Sequence, residues 1–182
     1  MTATVQSIRS ATISQSPADA NDDAFSSERL SGFAAHPAGA SLFRAQHEQL
    51  HRLMQGILGL AEHSGDPERA LQLRMKLTSL SVLAPMHQEL EDTMLHKSLG
   101  GEPRMRMLAE QSGREMVPLL TELANFSRRY LSVSTILEAE KGVLTAVASS
   151  LFARMQEHFR REERELLVEY DRATAAAGYL GA

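Results

Sequence analysis

Two stretches of this chain carry the same chemical groups at the same spacing. His87-Gln88-Glu89-Leu90-Glu91-Asp92-Thr93-Met94-Leu95 and His158-Phe159-Arg160-Arg161-Glu162-Glu163-Arg164-Glu165-Leu166 both read H-x-x-x-E-[DE]-x-x-L. Residues four apart on a helix are neighbours on one face, so each stretch can bring an imidazole nitrogen and a carboxylate to a common point. Two such helices facing each other supply two imidazoles and two carboxylates, most of what a two-metal site inside a helical bundle requires. H-x-x-x-E alone is common in a chain with seven His. The acidic residue directly after the Glu and the Leu three further on make a double accident improbable, which marks the pair as an internal repeat.

The elements that must position these groups read as helices. From Ser41 the apolar period is helical, with Phe43, Leu50, Met54, Ile57 and Ala61 on one stripe that stops at Ser64-Gly65. Asp66-Pro67 then supplies an N-cap followed by Pro at the first helical position. The second helix carries Leu73, Leu77, Leu80, Ala84, His87, Glu91 and Met94 in register to about Ser98, with a kink expected at Pro85 and a stop at Gly100-Gly101. Pro103 opens a third helix whose stripe reads Leu108, Gln111, Glu115, Leu119 and Phe126, bent at Pro118 and ending near Tyr130. Thr135 and Glu138 resemble a capping box for a fourth, with Leu144, Val147, Leu151, Met155, His158, Glu162 and Leu166 inside and a frayed last ten residues. The expected fold is all-α: an antiparallel up-down-up-down four-helix bundle over residues 39–174, a mobile, Ser- and Ala-rich arm over 1–38 and a tail over 175–182.

Composition narrows the chemistry further. With no Cys there is neither a disulfide nor a thiolate metal site. A formal net charge of −4, with both signs mixed along the helices, gives no basic face for nucleic acid. No run approaches the length of a membrane span and no secretory segment is visible, so the expectation is a soluble, cytoplasmic protein. Nine Met at helical spacing read as core filling, Arg128-Arg129 and Arg160-Arg161 as solvated pairs, and His36, His63 and His96 carry no assigned role. Neither a nucleophile triad nor a phosphate loop is present, which leaves enzymatic activity open.

The His and Glu of both repeats fall on the stripes that must form the core, and His47 falls on the inner stripe of the first helix. Burying facing carboxylates costs several kcal/mol, roughly, unless something positive lies between them. A protonated His or an Arg would serve, but two imidazoles and two carboxylates suit divalent or trivalent cations better.

At these residues the chain resembles the hemerythrin-like, or HHE cation-binding, family. The likeness covers roughly residues 41–172, with Ala45-Gln46-His47-Glu48-Gln49-Leu50 similar to the family's first-helix His and the two H-x-x-x-E phrases similar to its second- and fourth-helix motifs. The resemblance implies an oxygen-bridged di-iron centre in which His47, His87 and His158 are terminal ligands and Glu91 and Glu162 bridge the metals. The third helix departs from the pattern: Gln111 stands where the family places a His, with Glu115 one turn later. An oxygen-richer set favours ferric iron, or manganese, over reversible binding of dioxygen. Glu115 is then the first candidate for the missing ligand, and His51, four residues after His47, the second.

Two functions follow from this reading. One is a non-haem di-iron protein that senses or handles iron, dioxygen, peroxide or nitric oxide. The other is a regulatory or protein-interaction bundle whose metal is structural or lost, binding a protein partner through the N-terminal arm or an outer helix face.

Overall fold

In the computed structural model, which describes residues 39–98, 103–140 and 142–179, the chain is all-helical, with no strand among the described residues. Among the described residues six helices follow in order: α1 (Gly39–Ala61), α2 (Pro67–Ser98), α3 (Pro103–Arg129), α4 (Val133–Leu137), α5 (Val143–Arg164) and α6 (Leu166–Tyr179). The expected arm over residues 1–38 and the Gly100-Gly101 stop lie outside the described residues. No described helix is long and apolar enough to cross a membrane.

Local chemistry sets the helix starts. The Asp66 side chain accepts the backbone N–H of Glu68 at 2.9 Å and of Arg69 at 3.4 Å, satisfying two of the donors a helix start leaves unpaired, while Pro67 has no N–H to satisfy. α2 and α3 both continue through their internal prolines, Pro85 and Pro118. The opening of the fourth long helix differs from the expected Thr135–Glu138 box. Ser132 is the cap there, its hydroxyl accepting from the Thr135 N–H at 3.1 Å, and it starts only the five-residue α4. Gly142 then turns the chain with φ 86°, a left-handed value that glycine tolerates, and α5 begins one residue later. At the other end Glu165 (φ −114°, ψ −60°) separates α5 from α6, which runs on as helix to Tyr179 where the sequence suggested fraying.

Inner faces follow the 3- and 4-residue steps of buried helices. α1 buries Phe43, His47, Leu50, Met54 and Ile57; α2 buries Leu73, Leu77, Leu80, Ala84, His87, Glu91 and Leu95. On α3 the buried row is Met105, Ala109, Ser112, Met116 and Leu119, one position round from the expected Leu108, Gln111 and Glu115. The two rows converge at Leu119, so periodicity alone does not separate them. α1 packs on α2, α2 on α3, α3 on α5 and α5 on α1, while α6 lies against α1, α3 and α5.

Two apolar clusters result. The larger joins Leu50, Met54, Leu80, Met116, Leu151 and Met155, among others. The smaller joins Ala40, Phe43, Leu95, Met105, Ala109, Leu166, Leu167 and Tyr170. Between them, one turn from each, every long helix places polar residues: His47 on α1, His87 and Glu91 on α2, Ser112 on α3, His158 and Glu162 on α5. After the break at Glu165, Leu166, Leu167 and Tyr170 of α6 join the smaller cluster.

Candidate metal centre

His47, His87, Glu91 and Glu162 are each at most 3 % exposed, and one ligating atom from each lies within 4.8 Å of all the others. His47 Nε2 is 3.0 Å from His87 Nε2 and 3.2 Å from Glu162 Oε2, and His87 Nε2 is 3.6 Å from Glu91 Oε1. Apolar groups enclose them. The Phe159 ring stacks on His47 at 4.6 Å between centroids, and Phe43 meets His87 edge-on at 6.0 Å.

Hydrogen bonds on the far sides of the two imidazoles fix which nitrogen carries the proton. His47 Nδ1 lies 3.0 Å from Glu163 Oε1, and His87 Nδ1 lies 2.8 Å from Gln46 Oε1. Carboxylate and amide oxygens only accept, so in each ring Nδ1 is the donor and a neutral ring leaves Nε2 with a bare lone pair. Two such lone pairs then face each other at 3.0 Å. Beside them the buried oxygens Glu91 Oε1 and Glu162 Oε2 have no hydrogen-bond partner. Four electron-rich atoms converging in an apolar shell repel unless a proton or a cation lies among them.

The spacing also suits one. An ion about 2.1 Å from two donors holds them about 3.0 Å apart at a right angle and about 3.4 Å apart at the tetrahedral angle. The buried group of His47, His87, Glu91 and Glu162 can therefore hold a metal ion.

Without the ion, burial sets the protonation. Burial, reinforced by the neighbouring His47, holds His87 down at about 3, so its ring is neutral at any ordinary pH. Burial, and then the Glu162 carboxylate, raises Glu91 well above the usual carboxylate range. Burial also pushes Glu162 upward, but the imidazoles of His158 and His47 and the Ser112 hydroxyl more than offset this and leave it lowered. The two neighbouring carboxylates thus titrate as a coupled pair, Glu91 raised and Glu162 lowered.

The remaining candidates fall elsewhere. His158 is buried on the other side of Glu162, its Nε2 2.9 Å from Glu162 Oε1, which also accepts the Ser112 hydroxyl. Glu115 is half-buried and lies beyond His158, its Oε2 3.6 Å from His158 Nδ1 and 2.7 Å from the Arg161 guanidinium. Gln111, expected inside, is exposed and donates to Glu115 Oε1 at 3.1 Å. His51 is exposed and is not brought into the cluster. Four residues advance a helix about 40° beyond a full turn, which carries it to a surface pocket of about 300 Å³ whose lining also includes His47, Glu48, Gln156, Phe159, Arg160 and Glu163.

Gln46, Ser112, Arg161 and Glu163 escaped the reading of the sequence. Glu163 had a signal, because it is the acidic residue that the repeat places directly after the motif Glu. Arg161 looked like half of a surface pair, and nothing but the rotation of α3 reveals Ser112. Comparison of the chain with models of protein families, with curated proteins and with solved structures finds no match.

Proposed function

We propose that this protein is a hemerythrin-like cation-binding protein that holds iron or manganese at His47, His87, Glu91 and Glu162, and through it senses or handles dioxygen, peroxide or nitric oxide. The observation that carries the proposal is the pair of imidazole lone pairs facing each other at 3.0 Å beside two buried carboxylate oxygens without hydrogen-bond partners. Imidazole with carboxylate suits iron and manganese, and the absence of thiolate removes the usual soft-metal sites.

The frame for the site is an up-down-up-down four-helix bundle. In support, His47 faces His87 while Gly56 lies against Lys76. Ser81 meets Ser127 while Gly113 approaches Asp92, and Ser112 meets His158 while Glu122 meets Arg154. In each pair the numbering rises along one helix as it falls along the other, as antiparallel neighbours require.

When bound, the ion supplies redox chemistry and coordination positions for a small ligand. The chain's part is to hold the donors. Glu163 and Gln46 keep the ε nitrogens of His47 and His87 turned inward, Phe43 and Phe159 pack against the two rings, and Glu91 gives up its proton when it binds. Metal analysis of the protein purified from iron- and manganese-supplemented cells tests the reading. Bound metal that disappears in Glu162→Ala supports it, and metal-free wild type that takes up neither ion on reconstitution refutes it.

A specific observation favours the second reading, an interaction bundle with a structural metal. The outer face of α2 exposes Leu71, Met75, Val82 and Met86 at helical spacing. Sedimentation of the metal-loaded and metal-stripped protein separates the two. A metal-dependent change in self-association favours the interaction role.

A further inference from the structure

The repeated motif leads one to expect two ions, because each copy contributes a His and a Glu. The surroundings of His158 point elsewhere. Its two ring nitrogens lie on different edges of the imidazole, and each faces a different carboxylate: Nε2 faces Glu162 Oε1 at 2.9 Å, and Nδ1 is 3.6 Å from Glu115 Oε2, too far for a hydrogen bond. Each nitrogen directs its lone pair or proton one way only. Glu115 and Glu162 therefore cannot share an ion through this ring.

Glu115 is already neutralised. Arg161 reaches both of its oxygens, at 2.7 and 3.2 Å, and Gln111 donates to one of them at 3.1 Å. The guanidinium is permanently charged, so a divalent ion on Glu115 would stand next to a fixed positive charge. The cavity at this end, bordered by Ser112, Glu115, His158, Arg161 and Glu162, is about 20 Å³, room for a single water. Glu91 and Glu162 are the buried carboxylates of the layer, and two negative charges balance one divalent cation.

We propose that the site takes a single divalent cation, on His47, His87, Glu91 and Glu162, and that the Arg161–Glu115 pair behind His158 fills the place where a second cation would bind. This rests on the cation-binding reading above. Glu115 is on this account a partner of Arg161 and not a metal ligand.

The test is an anaerobic titration of the metal-stripped full-length protein with manganese(II), followed by calorimetry, by metal analysis after desalting and by electron paramagnetic resonance. One equivalent is expected, with the hyperfine pattern of an isolated manganese ion, and Glu115→Gln is expected to bind it with little change. Arg161→Gln, which removes the built-in cation, is expected to admit a second and weaker equivalent. Two equivalents in wild type with an exchange-coupled signal, or loss of an ion in Glu115→Gln, would overturn the single-ion assignment. Failure of Arg161→Gln to take a second ion would overturn the role given to that residue. No uptake at all by wild type would remove the cation-binding reading itself, an outcome distinct from both.

Discussion

His47 and His87 turn their ε nitrogens toward each other because their δ nitrogens are engaged by Glu163 and Gln46. Orientation of this kind commonly governs metal affinity, and loss of such a partner costs about 10–100-fold. Glu163→Ala should weaken binding in that range, and Glu163→Gln, whose amide oxygen still accepts, should recover most of it. Nitrogen chemical shifts of the His47 ring in metal-free protein provide an independent check, since the alanine variant should lose its single tautomer. Retention of full affinity and of one tautomer in Glu163→Ala would refute the positioning role.

Protonation at the same residues predicts a pH dependence whose sign can be worked out. His87 titrates at about 3 in the folded protein against 6.5 ordinarily, so below pH 6.5 the unfolded chain takes up a proton that the folded one refuses, and metal-free stability falls as the pH drops from 6.5 toward 3. Glu91 acts in the opposite sense. Its raised value keeps a proton on the folded chain above pH 4.5, where the unfolded chain has lost it, and this contribution falls away as pH rises through the raised value. On the proposed reading a bound cation replaces that proton. Calorimetry of metal binding in two buffers of different ionisation heat should therefore show proton release at mildly acidic pH and tighter binding as pH rises. Binding with no proton release below the raised value for Glu91 would contradict this.

At the scale of the helices, the buried rows predict which substitutions matter. Leu77→Ala on the inner face of α2 should cost about 2–5 kcal/mol, while Met75→Ala, 60 % exposed two residues away, should stay within about 0.5 kcal/mol. Removing the Asp66 cap should cost about 1 kcal/mol. Urea melts of the three variants measure all of these, and equal losses at Leu77 and Met75 would show that α2 is rotated from the arrangement described. Much of this was legible in the sequence. The stripes of α1 and α2, the Asp66-Pro67 start and the all-helical class follow from periodicity and capping chemistry. The inner face of α3 was not legible, because Leu108-Gln111-Glu115 and Met105-Ala109-Ser112-Met116 both have helical spacing and merge at Leu119. Only packing against α2 and α5 chooses between them. Nor was the start of α5, where Gly142 rather than the Thr135–Glu138 pair controls the direction of the chain.

At the scale of the whole molecule, a layer of imidazoles and carboxylates lies between two apolar clusters, and four of its residues can hold a metal ion. A ligand bound only by the folded state stabilises it by about 2.7 kcal/mol at one hundred times its dissociation constant. The melting temperature of metal-stripped protein should thus rise on anaerobic addition of ferrous or manganous ion, and Glu162→Ala should abolish the rise. An unchanged melting curve would mean that the four residues satisfy one another without metal. Location of the ion itself is the most direct test. Anomalous diffraction from crystals grown with manganese or iron should give a peak about 2.0–2.3 Å from both His47 Nε2 and His87 Nε2, in contact with Glu91 and Glu162. A metal-loaded crystal with no peak among these four residues, or with peaks confined to exposed carboxylates, would contradict the account.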